Sequence, residues 1–193
     1  MRSNLYSVPN LLSLLRLILV PILITLAVYG QAELFLLLLA VSLVSDVLDG
    51  YMARKLQQTS ELGARLDSWG DILTYGAMIS ALYLIWPAIF SAQAGFLLAA
   101  MLSFILPLLL ALSRFGSYPS YHTIGAKVTA ILMAPAYYLL ILWDTELFFR
   151  AVILLRVLVA VEEIAITFAL KRPKSNVDSV FFLLWGGGSK GSR

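Results

Sequence analysis

Apolar residues fill this chain in six long runs, and polar or turn-forming residues fall between them. A helix that crosses the hydrocarbon core of a bilayer needs roughly 20 mostly apolar residues. Runs at 9–29, 33–53, 63–86, 94–113, 125–143 and 147–170 meet that length. Several breaks carry turn or loop residues: Tyr29-Gly30-Gln31 after the first run, Trp86-Pro87 after the third, and Gly116 to Pro119 after the fourth. The pattern predicts an all-α integral membrane protein with six transmembrane helices. A single six-helix domain is expected over 1–185, with no internal repeat and no separate soluble domain. Leu5, Tyr6 and Val8 stand among polar neighbours in residues 1–8, a pattern compatible with a short interfacial helix. Residues 186–193, Gly186-Gly187-Gly188-Ser189-Lys190-Gly191-Ser192-Arg193, read as a linker-like tail outside the fold.

Composition supports a polytopic membrane protein. Of 193 residues, 61% are hydrophobic and 13% charged, against about 25% charged in a soluble domain. The mean hydropathy is +0.89. Cysteine is absent, which excludes disulfides and thiolate metal sites, and His122 is the sole histidine, which excludes a His-rich zinc or haem site. The first apolar run lacks a small-residue cleavage site and contains Arg16, so no cleavable signal peptide is expected. The isoelectric point near 9.2 points to membrane orientation and not to nucleic acid, because Lys and Arg sit mainly in short loops between apolar runs. With the N-terminus in the cytoplasm, Arg2, Arg54, Lys55, Arg65, Arg114, Lys127, Lys171, Arg172 and Lys174 all fall on the cytoplasmic side. The other side carries only Arg150, beside Asp144 and Glu146, and the 29–33 and 87–94 connections hold no Lys or Arg. Both termini are therefore expected in the cytoplasm, in the plasma (inner) membrane.

The candidate chemistry lies between the second and third runs. Asp46 and Asp49 are three apart and share a helix face; Gly63, Asp67 and Asp71 recur every four residues and share another. Two helices that turn these faces together gather four carboxylates within the membrane near its cytoplasmic side. Ionisable groups at that depth are costly and mark function by default. Such a cluster needs cations, and a hard divalent ion, Mg²⁺ or Mn²⁺, suits carboxylate oxygens and bridges phosphates. Gly50, Ala53, Gly63 and Ala64 are small enough for close approach of a backbone or a flat ligand. Arg54 offers a forked donor for phosphate oxygens, and also fits a plain positive-inside anchor, as Lys55 does.

Written out, the frame is D-x2-D-G-x2-A-R-x8-G-x3-D-x3-D, met by Asp46, Asp49, Gly50, Ala53, Arg54, Gly63, Asp67 and Asp71. It resembles the signature of the CDP-alcohol phosphotransferases (CDP-alcohol phosphatidyltransferases, class I), integral membrane enzymes that build phospholipid head groups. Pro9-Asn10-Leu11-Leu12 with Ser13 and Arg16 resembles the first helix of the family's phosphatidylglycerophosphate and cardiolipin synthase branches. The resemblance implies a metal held by Asp46, Asp49, Asp67 and Asp71, with Asp71 as the general base toward an acceptor hydroxyl. It implies a CDP-substrate site at Asp49, Gly50, Ala53, Arg54, Gly63 and Asp67. The expected partners are a CDP-linked lipid, a small hydroxyl acceptor, the bilayer and a second copy in a homodimer, with no nucleic acid. The expected reaction moves a phosphatidyl group from CDP-diacylglycerol to a small polar alcohol, with release of CMP.

The acceptor is not legible. Phosphatidylglycerophosphate and cardiolipin synthases usually carry Asp-Pro-x-Ala-Asp-Lys at the third and fourth aspartates. Here the run is Asp67-Ser68-Trp69-Gly70-Asp71-Ile72, nearer the serine and inositol branches. Those branches tend to carry Arg-x-Arg after the fourth span, where this chain has Ser113-Arg114-Phe115-Gly116. Gly125-Ala126-Lys127-Val128-Thr129 keeps a family-like Gly-x-Lys-x-Thr. Arg114, His122 and Lys127 flank the fourth-to-fifth loop and fit either an anionic acceptor pocket or ordinary juxtamembrane positives. Arg156 lies seven residues before Glu163 on one helical face, which predicts an ion pair lining the bundle. Arg16 either snorkels or faces the pocket. Two other classes remain beside this reading: a CDP-choline- or CDP-ethanolamine-type enzyme with a lipid acceptor, and a six-span cation transporter. The transporter would place its carboxylates near the midplane on broken helices, and would leave Gly50 and Arg54 without a role.

Overall fold

A computed structural model describes residues 8–56, 61–116 and 123–170. Among these residues the chain is all helix: α1 (Val8–Val28), α2 (Ala32–Lys55), α3 (Glu61–Leu84), α4 (Pro87–Phe115), α5 (Ile124–Trp143) and α6 (Glu146–Ala169). Residues 1–7, most of the expected interfacial helix, and the tail 186–193 lie outside the described residues. Five of the six helices begin and end within two residues of the apolar runs.

The fourth does not. It begins at Pro87, seven residues before the expected 94, so the 87–94 segment is helix and the connection before it shrinks to Ile85-Trp86. Proline at the first helical position loses no hydrogen bond there and has its φ already set. Gln93 interrupts the apolar run, yet it is fully buried, and its Oε1 accepts from Arg150 Nε at 3.0 Å. A polar side chain with an internal partner does not stop a helix.

Among the described residues, three helices are long and apolar enough to cross a membrane by length and composition: α1 from Asn10, α4 and α5. The aspartates lie on α2 and α3, and Arg150, Arg156, Glu162 and Glu163 lie on α6. Large apolar side chains stand outward on every helix, among them Ile18, Leu37, Ile72, Leu109, Ile131 and Leu158. Such an apolar exterior suits lipid contact.

The chain divides into two compact units, residues 1–92 and 93–193. In the first, α1 packs against both α2 and α3. Its buried face on α1 runs Asn10, Ser13, Arg16, Leu19, Val20, Leu23 and Ala27, polar at one end and apolar at the other. The facing helices match this gradient. Phe35 and Leu39 of α2 and Ala81 and Leu82 of α3 are sealed at the apolar end, and Ser45, Asp49 and Thr74 are buried toward the polar end. In the second unit α5 packs against α6. Thr123 caps α5 by accepting from Ala126 N at 3.1 Å, and Asp144 ends it in the left-handed region at φ 54°. The expected Arg156–Glu163 ion pair is present, at 3.1 Å and buried on both sides. Arg156 also donates to the Ser103 carbonyl at 3.0 Å and lies over the Phe104 ring, tying α6 to α4.

Candidate active site

The polar end of the first unit is built from three helix faces. Asn10, Ser13 and Arg16 recur every three residues on α1, so one face delivers all three toward α2 and α3. Asp46 and Asp49 sit in the C-terminal half of α2; Asp67 and Asp71 sit one turn apart near the start of α3. Carboxylate oxygens of Asp46, Asp49 and Asp67 all lie within 4.8 Å of one another. The fourth aspartate joins them through Arg16. The arginine's Nη2 lies 2.5 Å from Asp46 Oδ1, 2.8 Å from Asp49 Oδ2 and 3.0 Å from Asp67 Oδ1, and its Nη1 lies 2.5 Å from Asp71 Oδ1.

Burial separates the aspartates. Arg16 is 1% exposed and Asp49 5%, whereas the Asp71 side chain keeps 47% of its surface open. Asp49 Oδ2 also accepts from Ser13 Oγ at 2.8 Å, so the most deeply set carboxylate is the most firmly held. A guanidinium taken out of water at this cost is tolerable only when carboxylates surround it. Gly70 on α3 makes the space: a Cβ there would lie 3.1 Å from Arg16 Cδ and 3.2 Å from its Nη1. Beside this cluster is a small pocket lined by Arg16, Leu43, Asp46, Asp71, Thr74 and Tyr75.

The remaining sequence-predicted residues fall as follows. Gly50 is half-buried on α2, directly after Asp49, and Gly63 is half-buried on α3, one turn before Asp67. Ala53 and Arg54 lie on the last turn of α2, with their side chains outside what is described. In the second unit, Arg114 ends α4, exposed, and donates to the carbonyls of Phe168 and Leu170 at 3.3 and 3.4 Å. It therefore serves the C-terminal end of α6, whatever else it binds. Lys127 is exposed in the first turn of α5, and His122 lies outside the described residues. Arg16 and Ser13 are the contacts that the aspartate frame alone does not reveal. The three-residue spacing from Asn10 puts them on one face of an otherwise apolar helix, but does not say what that face meets.

The donor set fits a hard divalent cation. Three carboxylate oxygens converge with no sulfur or imidazole among them, which is the chemistry Mg²⁺ and Mn²⁺ favour.

The family model of the CDP-alcohol phosphatidyltransferases matches residues 6–173, and this chain belongs to that family of membrane-bound transferases. The chain is 34% identical over 145 residues to a cardiolipin synthase (CMP-forming) of Streptomyces coelicolor, covering 72% of this chain and 66% of the relative. It is 33% identical over 93 residues to a CDP-diacylglycerol–serine O-phosphatidyltransferase of Methanocaldococcus jannaschii, 48% of this chain and 44% of the relative. It is 39% identical over 75 residues to a CDP-diacylglycerol–glycerol-3-phosphate 3-phosphatidyltransferase of Aquifex aeolicus, 38% of this chain and 42% of the relative. The chain thus spans less than half the length of two of these relatives. No solved structure matches it.

Proposed function

We propose that this chain moves a phosphatidyl group from CDP-diacylglycerol to the hydroxyl of a small polar alcohol and releases CMP. The observation that carries the reading is the convergence of Asp46, Asp49 and Asp67 with Asp71 beside them, in a chain of this family. A diacylglycerol donor is favoured because two of the relatives carry CDP-diacylglycerol in their names. The relatives' names differ in acceptor, and the acceptor stays open among small hydroxyl compounds.

Asp46, Asp49 and Asp67 would hold Mg²⁺ or Mn²⁺, with Asp71 completing the set. A divalent ion there supplies charge compensation for the pyrophosphate and for departing CMP. Gly50, Ala53 and Gly63 leave room for the nucleotide against the helices, and Arg54 offers its fork to phosphate oxygens. Asp71, half-open like Asp67 but outside the trio that converges on Arg16 Nη2, takes the proton from the acceptor hydroxyl. The acceptor oxygen then attacks the lipid-side phosphorus, and the bond to CMP breaks. Fixing both reactants on helices supplies much of the rate enhancement by orientation alone. Arg114, His122 and Lys127 are candidates for an anionic acceptor. The reading places all six helices across the inner membrane, both termini and the aspartates on the cytoplasmic side, a single domain over 1–185 and a homodimeric assembly.

The test is CMP release by purified protein with CDP-diacylglycerol and Mg²⁺ or Mn²⁺ across glycerol 3-phosphate, inositol, inositol phosphate, serine and phosphatidylglycerol. Metal-dependent release with one of the four small acceptors establishes the reaction and names the substrate, whereas release with phosphatidylglycerol alone keeps the donor and overturns the small acceptor. Silence across the panel from folded protein overturns the diacylglycerol donor and directs the assay to CDP-choline and CDP-ethanolamine.

A further inference from the structure

The three oxygens that Arg16 Nη2 contacts belong to Asp46, Asp49 and Asp67, at 2.5, 2.8 and 3.0 Å. These are the same three residues whose oxygens converge within 4.8 Å. A magnesium ion bound by them would sit at about 2.0–2.1 Å from each ligand oxygen. One nitrogen and one ion cannot share that centre, on grounds of both size and charge. We infer that Arg16 is a resident counter-ion of the aspartate site, and that a divalent cation binds Asp46, Asp49 and Asp67 only by displacing its Nη2.

Three features of the site fit this role. First, one guanidinium faces four carboxylates, so the cluster keeps an excess of negative charge that draws a further cation in. Second, Arg16 Nε is buried without a hydrogen-bond partner, so the guanidinium is held by hydrogen bonds through its two Nη groups alone. Third, Nη1 is engaged separately with Asp71, which gives the displaced head a carboxylate to stay with. The Gly70 backbone completes the seat, because any side chain there meets Arg16 at 3.1–3.3 Å. In this arrangement the arginine lets three helices fold around a negative cluster without metal, and the metal then exchanges for it.

The inference rests on the metal reading above, and its test separates the two. Full-length protein in detergent, freed of metal with chelator, is titrated with Mn²⁺ alone. Free Mn²⁺ is followed by electron paramagnetic resonance, and thermal unfolding is recorded with and without the ion. Arg16→Gln is expected to bind Mn²⁺ roughly tenfold more tightly than wild type, because a competing charge at the centre is gone. Its metal-free form should unfold at lower temperature, and Mn²⁺ should raise that temperature by more than in wild type. Gly70→Ala, which crowds Arg16 without removing it, should move both readouts in the same direction by less, and answers the question if Arg16→Gln does not fold. Equal or weaker Mn²⁺ binding in the variants overturns the inference and makes Arg16 a scaffold for the carboxylates. A wild type that binds no Mn²⁺ overturns the metal reading and the inference together.

Discussion

Asp49 and Asp71 carry the same functional group in different surroundings. The first is sealed and accepts from Ser13 and Arg16; the second meets Arg16 through one oxygen and keeps nearly half its side chain open. On the proposed reading that difference divides the work between ligand and base. Asp71→Asn removes the proton acceptor while leaving an oxygen donor in place, and should lower transfer by roughly 10²–10⁴-fold while sparing much of the metal-dependent CDP-lipid binding. Asp46→Asn and Asp49→Asn should weaken both. Parallel CMP-release and CDP-lipid binding assays decide the matter: equal loss of binding in all three variants removes Asp71 from the role of base. The four aspartates were legible because their three- and four-residue spacings survive any packing of the helices. Arg16 was not decidable from spacing, because an arginine on an apolar helix is compatible with snorkelling to the interface or with a buried partner. Only the packing of α1 on α2 and α3 selects between them. Ser13 belongs to the run that resembles a first-helix pattern, and in the fold it donates to Asp49.

Within α6, Arg156 and Glu163 are both buried, two turns apart, and Arg156 also reaches the Ser103 carbonyl of α4. Glu163→Ala would leave a buried guanidinium without its carboxylate and should cost about 3–5 kcal/mol. Replacing both by methionine should recover most of that loss, since the desolvation cost goes with the charges. Melting midpoints of the single and double variants in detergent measure it; a double variant no better than the single would show that the Ser103 and Phe104 contacts dominate. A second contact in the same unit is steric. A Cβ on Gly125 would fall 2.6 Å from Val159 Cγ2, and β-branched Val159 cannot swing clear easily. Gly125→Ala should therefore destabilise by about 1–3 kcal/mol despite its better helix propensity, and Val159→Ala added to it should restore the loss. The ion pair was legible as an i, i+7 pairing; the glycine contact was not, because no spacing rule on α5 states which residue of α6 lies opposite. Helix limits were legible to about two residues except at the start of α4. There an apolar count treats Gln93 as a break, while the folded unit treats it as a partner for Arg150.

For the whole molecule, the charge pattern makes the strongest remaining statement. Apart from Arg16 and Arg156 within helices and Arg150 near the start of α6, the internal lysines and arginines collect beside the ends of α2, α4 and α6 and the starts of α3 and α5, while residues 29–31 and 85–86 hold none. On the proposed topology, a bilayer that holds basic residues on its cytoplasmic face would place the 29–31 turn, the 85–86 connection and the start of α6 outside, and the end of α2 inside. The three helices that meet a membrane-spanning length and composition, α1, α4 and α5, cannot settle this alone, because length carries no direction. The sequence contains no cysteine, so each introduced thiol is the sole reporter. Gln31→Cys and Leu147→Cys lie at exposed positions near the ends that should face out, and Leu56→Cys is exposed beside the end of α2 that should face in. In right-side-out cells a membrane-impermeant maleimide should label the first two and spare the third, and in inverted vesicles the pattern should reverse. Labelling of Leu56→Cys from outside would place the aspartate end of α2 away from the cytoplasm, where CDP-linked substrates are not expected, and would count against the proposed reaction as well as the topology. Labelling of both Gln31→Cys and Leu56→Cys from one side would mean that α2 does not cross. That outcome would be explained by its burden of carboxylates, and would confine the spanning set to the more apolar helices.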